Sequence, residues 1–245
     1  MRKRKYLIGA TLAVAGALAV SGTAYAGAPT GQTLAATIAP SKLQQKTFTG
    51  VSLHNIIATT YSDFNGSPAA KETKFTLDRQ LKFVNGSLPA CSQATLNAAT
   101  STAAVQSACG ASIVGTGTNE VNNKTGLFPN PNPVLLVSGG PTTLYVWTRI
   151  NNALTLVLTG AYSTSANTLD VTGLPNTPGT DLTLFDTTQG KVKTGGKGKK
   201  ATYYVMARCK SKKKKMVSSE TTTFYDNSTI TAVSTQKCKA KPAKK

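Results

Sequence analysis

The chain has 245 residues, of which 28 are Lys or Arg and 9 are Asp or Glu, for a formal charge of +19. That length suits one domain with appendages. A single histidine and the lack of any CxxC pair argue against a zinc centre, and no metal or cofactor is expected.

The first 26 residues read as a signal peptide. Arg2, Lys3, Arg4 and Lys5 open the chain, an apolar run extends from Tyr6 to Val20, and Ala24-Tyr25-Ala26 forms a small-x-small triplet. The basic cluster resists translocation of its own end. An apolar run of about 15 residues is shorter than a stable membrane span. The triplet suits a signal peptidase and places the cut between Ala26 and Gly27. No transmembrane segment is expected after processing, and the destination is the cell exterior or surface.

Residues 27–45 read as an extended N-terminal segment, 46–238 as the folded domain, and 239–245 as a basic disordered tail. A strand pattern covers Thr47 to Thr59, and Asn65-Gly66 with Pro68 marks a turn. From Thr73 to Val84, Phe75, Leu77, Leu81 and Phe83 share one parity, as in a half-buried strand. Between Cys91 and Cys109 the Ala-rich stretch predicts one or two short helical turns, with Ser92 as the N-cap. Ala111 to Thr118 predicts a strand whose glycines mark a bulge or a close backbone approach, and 122–133 is a turn-rich loop.

The clearest hairpin joins Thr143–Ile150 to Ala153–Thr159 across Asn151-Asn152, because asparagine tolerates the positive φ of a type I′ turn. Further strands are expected at Thr168–Thr172, Asp181–Asp186, Ala201–Ala207, Ser219–Tyr225 and Ile230–Ser234. Short strands divided by Gly, Pro and Asn turns define an all-β fold, a β-sandwich or jelly-roll-like body.

Four cysteines in an exported chain favour disulfides. Three connectivities are possible, and sequence proximity favours Cys91–Cys109 and Cys209–Cys238. The stretches LPACSQATL and ACGASIVGTGT, within 88–118, resemble a segment of uncharacterised exported proteins of high-GC Gram-positive soil bacteria. So does the later region, where strands ending at Cys209 and containing Phe224 and Tyr225 precede Cys238. The resemblance implies a β-rich secreted domain with two local disulfides, and it brings no catalytic residue with it.

Charge is unevenly spread. Residues 27–190 hold eight basic and seven acidic side chains, whereas 191–245 hold sixteen basic and two acidic. Lys191, Lys193, Lys197, Lys199, Lys200, Lys210, Lys212, Lys213, Lys214 and Lys215 concentrate the field, with the tail lysines beyond. Such a concentration attracts an anionic cell-envelope polymer, although solubilising charge on loop tips explains it equally. Arg208 is the lone arginine there, so no specific nucleic-acid reader is expected.

Enzymatic signals are thin. His54 is the only base for a Ser-His-Asp hydrolase, and it sits in the apolar pattern VSLHNII, opposite in parity to Leu53. The nine carboxylates lie beside turns or on polar strand parity. A Ca²⁺ site would require Asp170, Asp181 and Asp186 to share one end of the fold. The leading expectation is an exported, non-enzymatic protein that contacts anionic polymers through its Lys-rich C-terminal region. The alternative is a carbohydrate- or ligand-binding jelly roll that uses Trp147 and Tyr145 as a stacking platform; a hydrolase ranks behind it.

Overall fold

The computed structural model describes residues 29–62, 67–85, 87–123, 126–127, 131–177, 180–211 and 215–241. The expected signal peptide, its expected cut between Ala26 and Gly27, and Lys212, Lys213 and Lys214 lie outside the described residues. In chain order the strands are β1 (Pro29–Ala39), β2 (Lys42–Gln44), β3 (Thr49–Gly50), β4 (Ser52–Tyr61), β5 (Ala70–Thr76), β6 (Leu81–Phe83), β7 (Ile113–Asn123), β8 (Gly126–Leu127), β9 (Asn132–Gly140) and β10 (Thr143–Ile150). There follow β11 (Leu154–Ser163), β12 (Thr168–Thr172), β13 (Thr180–Gln189), β14 (Lys193–Gly195), β15 (Thr202–Tyr203), β16 (Val205–Ala207), β17 (Lys215–Phe224), β18 (Thr229–Lys237) and β19 (Lys239–Lys241). Two short helices, α1 (Gln93–Ala98) and α2 (Thr102–Cys109), lie between β6 and β7. The chain is all-β, with its helical excursion between Cys91 and Cys109.

One antiparallel sheet dominates, in the order β1-β4-β13-β7-β9-β10-β11-β12-β5-β17-β18. Its two edge strands meet. Ala36 N–H donates to Ser234 Oγ at 2.9 Å, and Ile38 N–H donates to Gln236 Oε1 at 2.8 Å. Gln236 Nε2 donates back to the Ile38 carbonyl at 3.3 Å. Side chains of β18 thus meet the backbone of β1 where a ladder would otherwise run, and the sheet curls round to close on itself as a barrel.

Alternation sorts the side chains. On β1, Leu34, Ala36 and Ile38 point inward, and on β17 Met216, Ser218, Glu220, Thr222 and Phe224 do so. The inward set from β4, β9, β10, β11 and β12 joins them in one core that includes Leu53, Leu136, Val146, Leu158 and Val171. Strand β7 carries the predicted close approach: a Cβ at Gly117 would collide with the Asp186 carbonyl of β13. The Asn turn is also as expected. Asn151 and Asn152 have φ of 52° and 53°, and Ala153 N–H donates to Ile150 O at 3.1 Å.

The helices cover the outer face of β9 and β10. Ser92 caps α1 by accepting from Thr95 N–H at 3.1 Å, and Ser101 caps α2 by accepting from Ala104 N–H at 3.1 Å. Leu96 and Val105 then pack on Leu135, Val137 and Trp147 in a second core. The cysteines pair as Cys91–Cys109 and Cys209–Cys238, with Cα separations of 5.6 and 5.9 Å. The first pair ties the two ends of the helical excursion together. The second lies at one end of the barrel, where β16 with β3 and β6 forms a small sheet across the opening. Phe83, Tyr162 and Tyr204 fill that end, with ring centroids 4.8–6.4 Å apart and the two phenol hydroxyls hydrogen-bonded.

Several expectations are corrected. The segment 27–45 is not outside the domain, since β1 and β2 come from it and β1 is integral to the barrel. The tail is ordered as far as Lys241, because β19 pairs in parallel with β2. The expected strand Thr73–Val84 breaks after Thr76. There the Asp78 carboxylate accepts from Gln80 N–H at 2.8 Å and turns the chain, and β6 begins at Leu81. Strand β9 was not anticipated.

The seam makes a testable claim. Gln236→Ala leaves Ile38 N–H without its acceptor, a loss of about 1 kcal/mol. Amide hydrogen exchange should then speed up several-fold at Ile38 and leave Leu96, beneath the helices, unchanged.

Candidate functional site

Inside the barrel lies a cavity of about 100 Å³, walled by side chains from β1, β4, β5, β9, β10, β11, β12, β13 and β17. Most of the wall is apolar, including Leu34, Ile57, Phe75, Leu158, Val171 and Phe185. Toward the end opposite the Cys209–Cys238 disulfide the lining carries Gln32, Thr59, Tyr61, Thr73, Glu220 and Thr222, while Asn55, Thr187, Gln189 and Ser218 add polar groups nearer the plugged end.

Strand alternation places this polar group. Glu220 and Thr222 are two apart on β17 and share the inward face, buried to 2% and 4% exposure. Thr222 Oγ1 donates to Glu220 Oε1 at 3.1 Å. From the other side of the seam, Gln32 Nε2 lies 3.2 Å from Thr222 Oγ1 and 3.4 Å from both Glu220 Oε1 and Thr59 Oγ1. Thr73 Oγ1 of β5 is 3.2 Å from Thr222 Oγ1. Glu220 Oε2 and Gln32 Oε1 are buried with no hydrogen-bond partner among the described residues.

A second carboxylate stands close by. Asp181, at the start of β13, is buried and accepts a hydrogen bond from the Ser67 hydroxyl. Burial pushes the Glu220 carboxyl up to about 7, against the opposing effect of the Thr222 hydroxyl. Burial likewise pushes Asp181 up to about 6, against the effect of Ser67. The Tyr61 phenol is held well above its ordinary range, first by burial and then by the charges of Asp181 and Glu220. Tyr61 therefore links the two acids electrostatically.

The structure scatters the sites expected from sequence. Trp147 is fully buried under the helices and Tyr145 packs beside it, so the proposed stacking platform does not exist. The reason is that β9 and β10 are covered on both faces. Asp170, Asp181 and Asp186 do not converge on a Ca²⁺ site. Asp170 pairs with Lys74 at 3.6 Å, Asp181 with Ser67, and Asp186 with His54 at 2.7 Å. Among the described residues no group of three His, Cys, Asp or Glu side chains is placed to hold a metal. The His54–Asp186 pair puts a histidine and a carboxylate within hydrogen-bond reach, as a Ser-His-Asp hydrolase needs. It lies half-exposed on the outer face of β4 and β13, and no described hydrogen bond brings a hydroxyl nucleophile to His54.

Several described basic residues of the C-terminal quarter lie toward the plugged end. Exposed Lys191, Lys193, Lys197 and Lys200 lie in the segment following β13, and Lys191 Nζ stands 4.9 Å from the Tyr203 ring. Lys199 falls in the same segment, in the 3₁₀ turn Gly198–Lys200. Lys215 and Lys237 are register partners on β17 and β18, and Lys239 pairs with Lys42. Lys82 and Arg208 stand 4.5 and 4.6 Å from the Phe48 ring.

The fold and lumen thus define a closed antiparallel barrel with an apolar interior and one buried acidic cluster. No family model matches the chain, and no curated protein matches it. Among the described residues no helix is long and apolar enough to cross a membrane.

Glu220 was counted in sequence among carboxylates on polar parity. Its one signal was an inward parity shared with Met216 and Phe224, which the exposed Val217 on the other parity obscured. A carboxyl whose folded pKa lies above its unfolded value stabilises fully when both states are protonated, and this contribution is lost as pH rises through the folded value. Stability should therefore fall by about 3 kcal/mol between about pH 4.5 and pH 7 on account of Glu220. Urea unfolding across that range should show the slope, and Glu220→Gln should flatten it between about pH 6 and pH 7 while leaving the part below about pH 6 that Asp181 contributes.

Proposed function

We propose that this chain is an exported, non-catalytic binding protein that holds a small, mainly apolar ligand in the barrel lumen. The cavity is the observation that supports this reading: about 100 Å³ behind mostly apolar walls, with the one lining carboxylate, Glu220, toward one end. Binding sites commonly combine an apolar enclosure with a few fixed polar groups that orient the guest. Two disulfides suit an oxidising compartment, in keeping with export. An engineered apolar cavity of about 150 Å³ takes up benzene, so benzene is the natural neutral probe. In methyl NMR, benzene should shift the resonances of Leu34, Leu158 and Val171 and leave Leu96 untouched. Leu34→Phe, which puts a ring into the space, should abolish those shifts. Shifts confined to residues outside the lumen would end this reading.

A second reading is favoured by the placement of charge. The described lysines Lys191, Lys193, Lys197, Lys200, Lys215, Lys237 and Lys239 lie toward the plugged end, with Lys42, Lys82 and Arg208 beside them. This basic end would contact anionic envelope polymers while the lumen holds its ligand. Retention on immobilised heparin should then weaken steeply with salt, and the double variant Lys193→Glu, Lys197→Glu should elute earlier. Elution indifferent to salt would exclude it.

A further inference from the structure

We propose that the lumen selects a ligand bearing a primary ammonium group on a short alkyl or aryl body, with the ammonium bound at Glu220 Oε2 and Gln32 Oε1. This rests on the lumen reading above and names the chemistry of its guest.

Hydrogen-bond supply and demand are unequal around Glu220. Gln32 Nε2 is already directed at three acceptors, and Glu220 Oε1 already receives Thr222 and Gln32. Among the described lining side chains the atoms left without a partner are Glu220 Oε2 and Gln32 Oε1 at this end and Gln189 Oε1 nearer the plugged end, all of them buried acceptors. Glu220 itself is 98% buried, at 2% exposure. A complementary guest must bring donors. A primary ammonium offers three and accepts none, a hydroxyl offers one, and a carboxylate offers none.

Charge points the same way. Glu220 lines the cavity, Asp181 lies near enough to act on Tyr61, and no Lys, Arg or His is among the lining residues. A carboxylate buried without a counter-charge is costly, and an ammonium guest offsets that cost through a charge-assisted hydrogen bond. A hydrated metal ion is a poor fit, because apolar side chains such as Leu34, Phe75 and Phe185 surround the polar end and cannot ligate it. Those side chains suit instead the hydrocarbon body of an organic amine. The cavity volume limits that body to a short chain or a single ring.

The test compares three guests of one length with different heads: hexylamine, 1-hexanol and hexanoate, titrated at pH 8 by calorimetry and by methyl NMR. Hexylamine should bind roughly tenfold or more tightly than hexanol, in line with a charged hydrogen bond, and hexanoate should not bind. Glu220→Gln, nearly isosteric, should reduce hexylamine to the affinity of hexanol. Should that variant fail to fold, the wild type serves alone. Its preference for amine over alcohol should shrink as pH falls from 8 to 5, while hexanol affinity stays level.

If none of the three binds, the lumen reading itself is wrong. If all three bind within about twofold, or if Glu220→Gln keeps the full preference for amine, the lumen binds but the ammonium assignment is overturned. Amine binding whose NMR shifts fall at His54 and Asp186 rather than at Gln32 and Phe185 would overturn it equally.

Discussion

A sheet whose path runs through eleven strands, with β8 paired to β7 off that path, has two edges, and each edge presents a row of N–H and C=O groups that invite pairing with another chain. Here the edges are β1 and β18, and they are turned toward each other. Ser234 and Gln236 reach across to Ala36 and Ile38, and Gln236 both accepts from and donates to the backbone of the same residue. An amide side chain can do this because it holds a donor and an acceptor side by side, as a peptide group does. Closure fixes the rest. It decides which parity of every strand faces a common interior, and it turns eleven separate half-buried faces into one shared interior.

Strand number then sets what that space can be. About eight strands enclose an interior that side chains just fill, and larger barrels leave room. Eleven strands exceed that number, and the inward set here is not enlarged to compensate: Ala36, Thr59, Thr73, Ser218 and Thr222 are small. The ends are not equivalent either. The Cys209–Cys238 disulfide, the β3-β16-β6 sheet and the Phe83-Tyr162-Tyr204 cluster close one of them. The acids Glu220 and Asp181 lie toward the other. Exposed lysines surround the closed end, so the molecule has a basic, sealed pole and an acidic, polar-lined one.

Much of this was legible residue by residue, and the exceptions have physical causes. Period-2 alternation located β12 to the residue and found β13, β17 and β18 within a few positions, because each has one buried and one exposed face. Asn151-Asn152 announced its turn through backbone chemistry, and Ser92 announced a helix start. Strand β9 escaped because Val134-Leu135-Leu136-Val137 is apolar throughout. Its inner side chains face the lumen and its outer ones lie under α1 and α2, so no alternation exists to be read. The break at Asp78 was hidden because a turn carboxylate and an outward strand residue look alike. The seam could not be read at all, since Ser234 and Gln236 have the composition of any exposed strand. The polar cluster was equally hidden, because Gln32 and Glu220 are 188 residues apart and meet only once the sheet has closed.

Glu220 poses the sharper question, since a barrel can be closed without a buried acid. One part of its role is structural: Oε1 accepts from Gln32 and Thr222, and this ties β1 to β17 across the seam. A glutamine would supply that acceptor without burying a charge. The second oxygen is therefore unexplained by the architecture. It is buried, it is unpartnered, and it belongs to the residue whose burial works most directly against stability at neutral pH. Structure alone favours glutamine at this position, whereas recognition of a donor-rich cation favours glutamate. The residue actually present is the one that such recognition would require, and its location toward one end of a mostly apolar lumen would give that recognition a direction.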